Sequence, residues 1–167
     1  MALSATIKAS VGATQTSPVD LGTATFPLNV LQSLSLSDGT GANQADRMFT
    51  DTRTLSASAN EDLDFSGSLT NAFGVTVTFA RIKAIMVIAA SGNTNNVNVT
   101  RPASNGVPFL LAAGDGMAVR PGGVFLLASV DATGYPVTAA TGDLINIANS
   151  AGTTGVDYTI VVIGASA

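Results

Sequence analysis

The sequence predicts an all-β fold: a jelly-roll-like antiparallel β-sandwich with an extended N-terminal segment. Three observations lead there. Apolar and polar residues alternate over short runs, the period of a half-buried strand. Clusters of Gly, Asn, Asp and Pro separate these runs as turns do. No stretch carries the longer apolar period of an extended helix. The chain has no Cys and no Trp, so the paired Cys and core Trp of an immunoglobulin-like sandwich are missing. The wide Ser, Thr, Asn and Gly loops favour a jelly roll. No internal repeat is present, which argues against solenoids and propellers.

The elements follow in order. Leu3 to Ala9 is a short strand, and Val11 to Pro18 is small and polar and reads as a linker. Residues 1–18 are therefore expected to form an N-terminal arm or linker, and residues 19–167 the β-sandwich domain. Val19 to Thr25 is extended, and Pro27 marks a bend or an edge because it cannot donate to a ladder. Leu34 and Leu36 alternate with Ser33, Ser35 and Ser37 before a turn at Asp38-Gly39. Gly41 to Asp51 is irregular, with room for a short helical turn over Asn43 to Met48. Thr52 to Ser58 alternates again. Glu61 to Ser66 places acids against apolar residues, as in a half-exposed strand.

Val75 to Ala90 carries the strongest strand pattern. Val75, Val77 and Phe79 hold odd positions, whereas Ile82, Ala84, Met86 and Ile88 hold even ones. A one-residue slip turns side chains to the other face, so a bulge or break is expected near Ala80-Arg81. Val97 to Thr100 is a short strand. Phe109 to Ala112 and Met117 to Val119 flank a hairpin-like turn at Gly114-Asp115-Gly116. Val124 to Val130 reads as buried on both faces. Tyr135 to Thr138, Leu144 to Ala148 and Val156 to Ile163 complete the set, the last with Val156, Tyr158, Ile160 and Val162 on one face.

Composition narrows the function. There is no His to move protons near neutral pH, and neither His nor Cys to ligate a transition metal. No enzyme activity and no cofactor are expected. The formal net charge is −4, and the seven basic residues are scattered, so no nucleic-acid interface is expected. The apolar run Ile82 to Ala90 is too short to cross a bilayer as a helix, and Met1 to Ser10 lacks the apolar core of a secretory signal. No membrane partner is expected. Only 11% of residues are charged while 46% are hydrophobic. A chain so poor in charge is expected to cover surface in an assembly.

Two charged groups stand out. Asp62 and Asp64 share a strand face beside Glu61. Paired carboxylates suit glycoside hydrolysis or Ca²⁺ binding, but on a half-exposed strand they also deter edge-to-edge pairing, and that reading is adopted. Asp46, Arg47, Asp51 and Arg53 mix both signs within eight residues. They are read as structural ion pairs or as oriented polar groups on a contact rim, and are the residues expected to touch a partner.

Two stretches carry a resemblance. One runs from Gly41 through Asp46, Arg47, Asp51 and Arg53 to Leu55 and on into Glu61-Asp62-Leu63-Asp64. The other is Pro121-Gly122-Gly123 to Leu127, with Gly142-Asp143 to Ile147 and Val156 to Gly164. Together they resemble small structural proteins of tailed-bacteriophage virions, and among these the jelly-roll capsid decoration, or cement, proteins. The likeness spans roughly residues 30–165, and its motifs are structural. It implies a chain made in the host cytoplasm that sits on the outer surface of the capsid. Its partners would be the major capsid protein and further copies of itself, as a homotrimer or homodimer. The alternative reading is a tail or fibre-associated module that binds host glycans.

Overall fold

A computed structural model describes residues 2–67 and 69–167. Met1, at the start of the expected arm, lies outside the described residues. Thirteen strands are present among the described residues: β1 (Ala5–Val19), β2 (Gly22–Leu36), β3 (Arg47–Leu55), β4 (Asn60–Asp64), β5 (Leu69–Thr70), β6 (Thr76–Val77), β7 (Arg81–Ala89), β8 (Val97–Thr100), β9 (Gly116–Val119), β10 (Val124–Ala128), β11 (Tyr135–Pro136), β12 (Leu144–Asn149) and β13 (Val156–Ala165). There is no helix among the described residues. The chain is all-β, and its two main sheets make a β-sandwich.

One sheet has the order β10-β7-β13-β3, with β11 also on β7; the other has the order β4-β12-β8-β9. All of these pairings are antiparallel. Their facing sides share one core. β13 supplies Val156, Tyr158, Ile160 and Val162, β7 supplies Ile85 and Val87, β12 supplies Ile145 and Ile147, and β8 supplies Val97 and Val99. Each fully buried Val or Ile contributes on the order of 1.5–3 kcal/mol. Phe65 and Phe79 meet edge to face at 6.2 Å at one side of this core.

The first two strands stand apart. β1 and β2 pair through fifteen consecutive residues without a bulge, from Ala5↔Leu36 to Val19↔Gly22. Asp20 and Leu21 form the tip, and Gly22 has φ 142°, a conformation that L side chains rarely adopt. Apart from its root, this two-stranded ribbon is exposed along its whole length. Val11 to Pro18 is thus strand and not a linker. The expected boundary at Pro18 falls near the tip of a hairpin that returns to the body only at Leu36, so Val19 to Gln32 belong to the ribbon, not to the sandwich.

Other expectations shift. Asn43 to Met48 holds no helical turn: Asn43 is left-handed at φ 55°, and β3 already begins at Arg47. Phe109 to Ala112 is a bend, not a strand. Val124 to Val130 is not buried on both faces. β10 is an edge strand, with Val124 58% exposed and the residues after it half-buried. The long run from Val75 divides into β6 and β7, with the break over residues 78–80 where the parity slips. The Ile163–Gly164 step faces a second irregularity, where β7 steps from Ile82 to Ala84 and leaves Lys83 extra. The Lys83 side chain is buried, and its ammonium donates to the carbonyl oxygens of Asp131 and Ala132. Burial lowers its pKa, and Arg81 adds to the effect.

Gly164 makes this bulge possible. A Cβ there would lie 2.3 Å from the Arg81 carbonyl oxygen and 2.7 Å from the Phe79 ring. Gly164→Ala should therefore cost about 1–3 kcal/mol of stability by overpacking. Urea unfolding should show a lower midpoint with an unchanged slope.

Candidate functional site

The residues expected at a contact rim all lie on or beside β3, an edge strand. Alternation divides that strand. Arg47, Phe49, Asp51, Arg53 and Leu55 hold one parity, whereas Met48, Thr50, Thr52 and Thr54 hold the other and face outward, all exposed. Cross-strand register puts Arg53 beside Tyr158 and Phe49 beside Val162, both of which point into the core. Asp51 and Arg53 therefore sit at the mouth of the sandwich, where its two sheets meet.

Arg53 closes that mouth. Its Nε donates to Asp51 Oδ2 at 2.9 Å, and its Nη1 donates to Glu61 Oε2 on β4, in the opposite sheet. The Tyr158 hydroxyl donates to Glu61 Oε1 at 2.8 Å. The guanidinium also lies 5.8 Å from the centre of the Phe49 ring. Burial acts to lower the pKa of Arg53, but its two carboxylate partners outweigh burial and hold it above the ordinary value. Burial first, and then the Glu61 carboxylate, push the Tyr158 phenol well above its ordinary range.

Asp46 and Arg47 form a separate pair at the other end of β3. Arg47 Nη1 donates to Asp46 Oδ2 at 3.0 Å. Asp46 also accepts from the Ser166 backbone N–H at 2.8 Å and from its hydroxyl at 2.6 Å, which ties down the chain after β13. The four residues thus divide into two ion pairs with different tasks. Arg47 keeps 41% of its side chain exposed. It lines a groove of about 520 Å³ together with Met48, Asn71, Phe73 and Val75. Phe73 is 71% exposed there.

The acidic strand is engaged within the chain. Glu61 is taken by Arg53 and Tyr158, and Asp62 accepts from Asn146 Nδ2 at 2.8 Å. Asp64 accepts from the Ser66 N–H and hydroxyl, and that hydroxyl also lies 2.8 Å from Asp143 Oδ2. Among the described residues, no group of three or more His, Cys, Asp or Glu could hold a metal ion. Asp143, buried at a turn, is a member of this network that sequence reasoning did not single out.

The larger omission is the ribbon. Residues directly opposed across an antiparallel pair point to the same face. One ribbon face therefore carries Ile7 with Leu34, Val11 with Val30, Ala13 with Leu28 and Gln15 with Phe26. The other carries mostly Ser, Thr, Lys8 and Asn29. Val11, Phe26, Leu28 and Val30 are 44–65% exposed, so the apolar face is open. A usable signal was present: Phe26, Leu28 and Val30 alternate at period two into Leu34 and Leu36.

Arg53→Ala should lower stability by about 1–3 kcal/mol, because it leaves Glu61 without its ionic partner. Arg47→Ala should change it by less than about 1 kcal/mol, as for an exposed pair; chemical denaturation of the two variants checks this. The two tyrosines give a second test. Below the ordinary phenol value of 10.0 both states keep Tyr158 neutral. Above it the unfolded chain ionises and the folded chain does not, so stability should fall as pH rises past about 10. Burial also raises Tyr135, so Tyr158→Phe should reduce this alkaline loss without removing it, as unfolding measured from pH 8 to 11 would reveal. Comparison of the chain with protein-family models, with curated proteins and with solved structures finds no match.

Proposed function

We propose that this chain is a capsid decoration protein of a tailed bacteriophage. It binds the outside of the head in many copies, associates with itself as a homotrimer or homodimer, and stabilises the shell of major capsid protein. We read its sandwich as a jelly roll. Counting the eight strands β3, β4, β7, β8, β9, β10, β12 and β13 in chain order, one sheet runs first, eighth, third, sixth and the other second, seventh, fourth, fifth. That order is consistent with two nested Greek keys, an architecture common among capsid and lectin domains.

The observation that carries the reading is the projecting ribbon. It extends a largely uncharged apolar face well beyond a rigid sandwich, which is a device for contact. On a shell the physics is multivalent: each copy buries modest area, and simultaneous engagement of neighbouring subunits multiplies the effect. A protein that binds only the assembled lattice stabilises it by mass action. The polar groups around Arg47 suit the rim of such a contact, where charges fix register more than they add affinity.

A second reading rests on the groove beside Phe73. An exposed aromatic ring next to Asn71, Thr76 and Thr78 is what a tail or fibre module would offer a host glycan. One experiment separates the two. Purified chain is mixed with phage heads assembled without it, and occupancy is read by cryo-electron microscopy and heat resistance. Saturable binding at symmetry-related positions, with a higher disruption temperature, is the expected result. Failure to bind heads, together with retention on host-surface glycan, would transfer the assignment to the tail-module reading.

A further inference from the structure

The apolar ribbon face has a counterpart on the same chain. The outer side of the β10-β7-β13-β3 sheet carries three rows of side chains set by register. They are Ala128-Ala84-Ile163-Met48, then Leu126-Met86-Val161-Thr50, then Val124-Ile88-Thr159-Thr52. The ribbon root covers the first row, where Ile7 and Leu36 cluster with Ala84, Ala128 and Ile163. The second row is only half-covered, since hollows of about 260 and 190 Å³ remain between it and the ribbon. In the third row Val124 is 58% exposed.

We propose that the distal half of the ribbon's apolar face seats on a second copy of this chain, against the second and third rows of that copy's outer sheet. The exchange is closed, so each copy gives one ribbon and receives one. This rests on the self-association part of the function proposed above and is independent of the capsid part.

Four observations select a second copy. The contact chemistry already exists within one chain, because the root of the same face packs on the same sheet. Reach fits: from Ala9 to Val19 the ribbon extends about 37 Å at strand rise, and a body of its size is about 36 Å across. Charge does not oppose self-contact. Lys8 and Asp20 are the only charged residues on the ribbon, and the three sheet rows have none. Area is the deciding term. The chain exposes 8805 Å², about 1,200 Å² more than a compact monomer of its mass. A ribbon face two strands wide offers roughly 370 Å². A single one-way contact would bury about 740 Å² in total, the size of an incidental contact. In a closed exchange each copy loses about 740 Å², close to the roughly 800 Å² per partner of a stable interface.

The chain has no cysteine of its own, so single engineered thiols report contacts without ambiguity. Val30→Cys on the ribbon and Val124→Cys on the sheet are introduced into separate, differently tagged full-length chains. The two are co-expressed, purified and mildly oxidised. The expected result is a Val30→Cys/Val124→Cys cross-link joining the two tags, reduced at least tenfold when Leu28→Asp is added to the ribbon chain. Leu28 lies outside both core clusters, so this change tests the surface without disturbing the fold. Light scattering of the unmodified chain should give a dimer or trimer mass. An oligomer that links only Val30→Cys to Val30→Cys, or keeps its mass with Leu28→Asp, would overturn the ribbon-on-sheet contact and leave self-association standing. A monomer at micromolar concentration would overturn both.

Discussion

Strand β13 is apolar on both faces, and the rest of the molecule is arranged around that constraint. It lies between β7 and β3, bonded to each. Tyr158, Ile160 and Val162 point to one side, whereas Val161 and Ile163 point to the other. A strand of this kind needs cover above and below, as strands of sheets buried on both faces do. The second sheet covers one side completely. On the other side the cover among the described residues is partial: the root of the ribbon, together with Leu3, Ala45 and Val130. The sandwich is therefore finished on its inner face and open on its outer one.

The same alternation explains where the charges went. A β-edge that must seal a core yet stay soluble can place an ion pair at the mouth. There the aliphatic stem of Arg is buried and its head group is paired. Arg53 does this, bridging the sheets through Glu61 while Tyr158 donates from below. The arrangement holds β3 and β4 at a fixed separation. The loss of stability expected at alkaline pH follows from the burial of the Tyr158 phenol in this arrangement.

Much of this was legible in the sequence, and the exceptions share a cause. β13 was readable because its period-two pattern is complete within one segment. So was the break before β7, because parity slips visibly between Phe79 and Ile82. The Asp51-x-Arg53 pair could be read as structural, but its partner Glu61 could not, since only sheet packing brings that residue near. The ribbon was missed for a related reason. Along β1 the apolar face is carried by Ala9, Val11 and Ala13 and then fades to Gln15 and Ser17, which taken alone reads as a linker. The larger side chains of that face sit on β2, opposite those small ones. The pattern exists in the pair and not in either strand.

Pairing also explains two residues that looked like interruptions. A two-stranded ribbon has two free edges, and unpaired edges invite uncontrolled association. Lys8 and Asp20 alone provide little electrostatic protection. Pro18 and Pro27 add another kind, since a proline removes an N–H that a foreign strand would need. Both lie in the distal, exposed part of the ribbon. They oppose pairing along the edges and leave the broad apolar face untouched. Any contact the ribbon makes is thereby directed to its side chains and away from backbone ladders, which accept any sequence. A projecting apolar ribbon can remain specific on these terms although it carries so little charge.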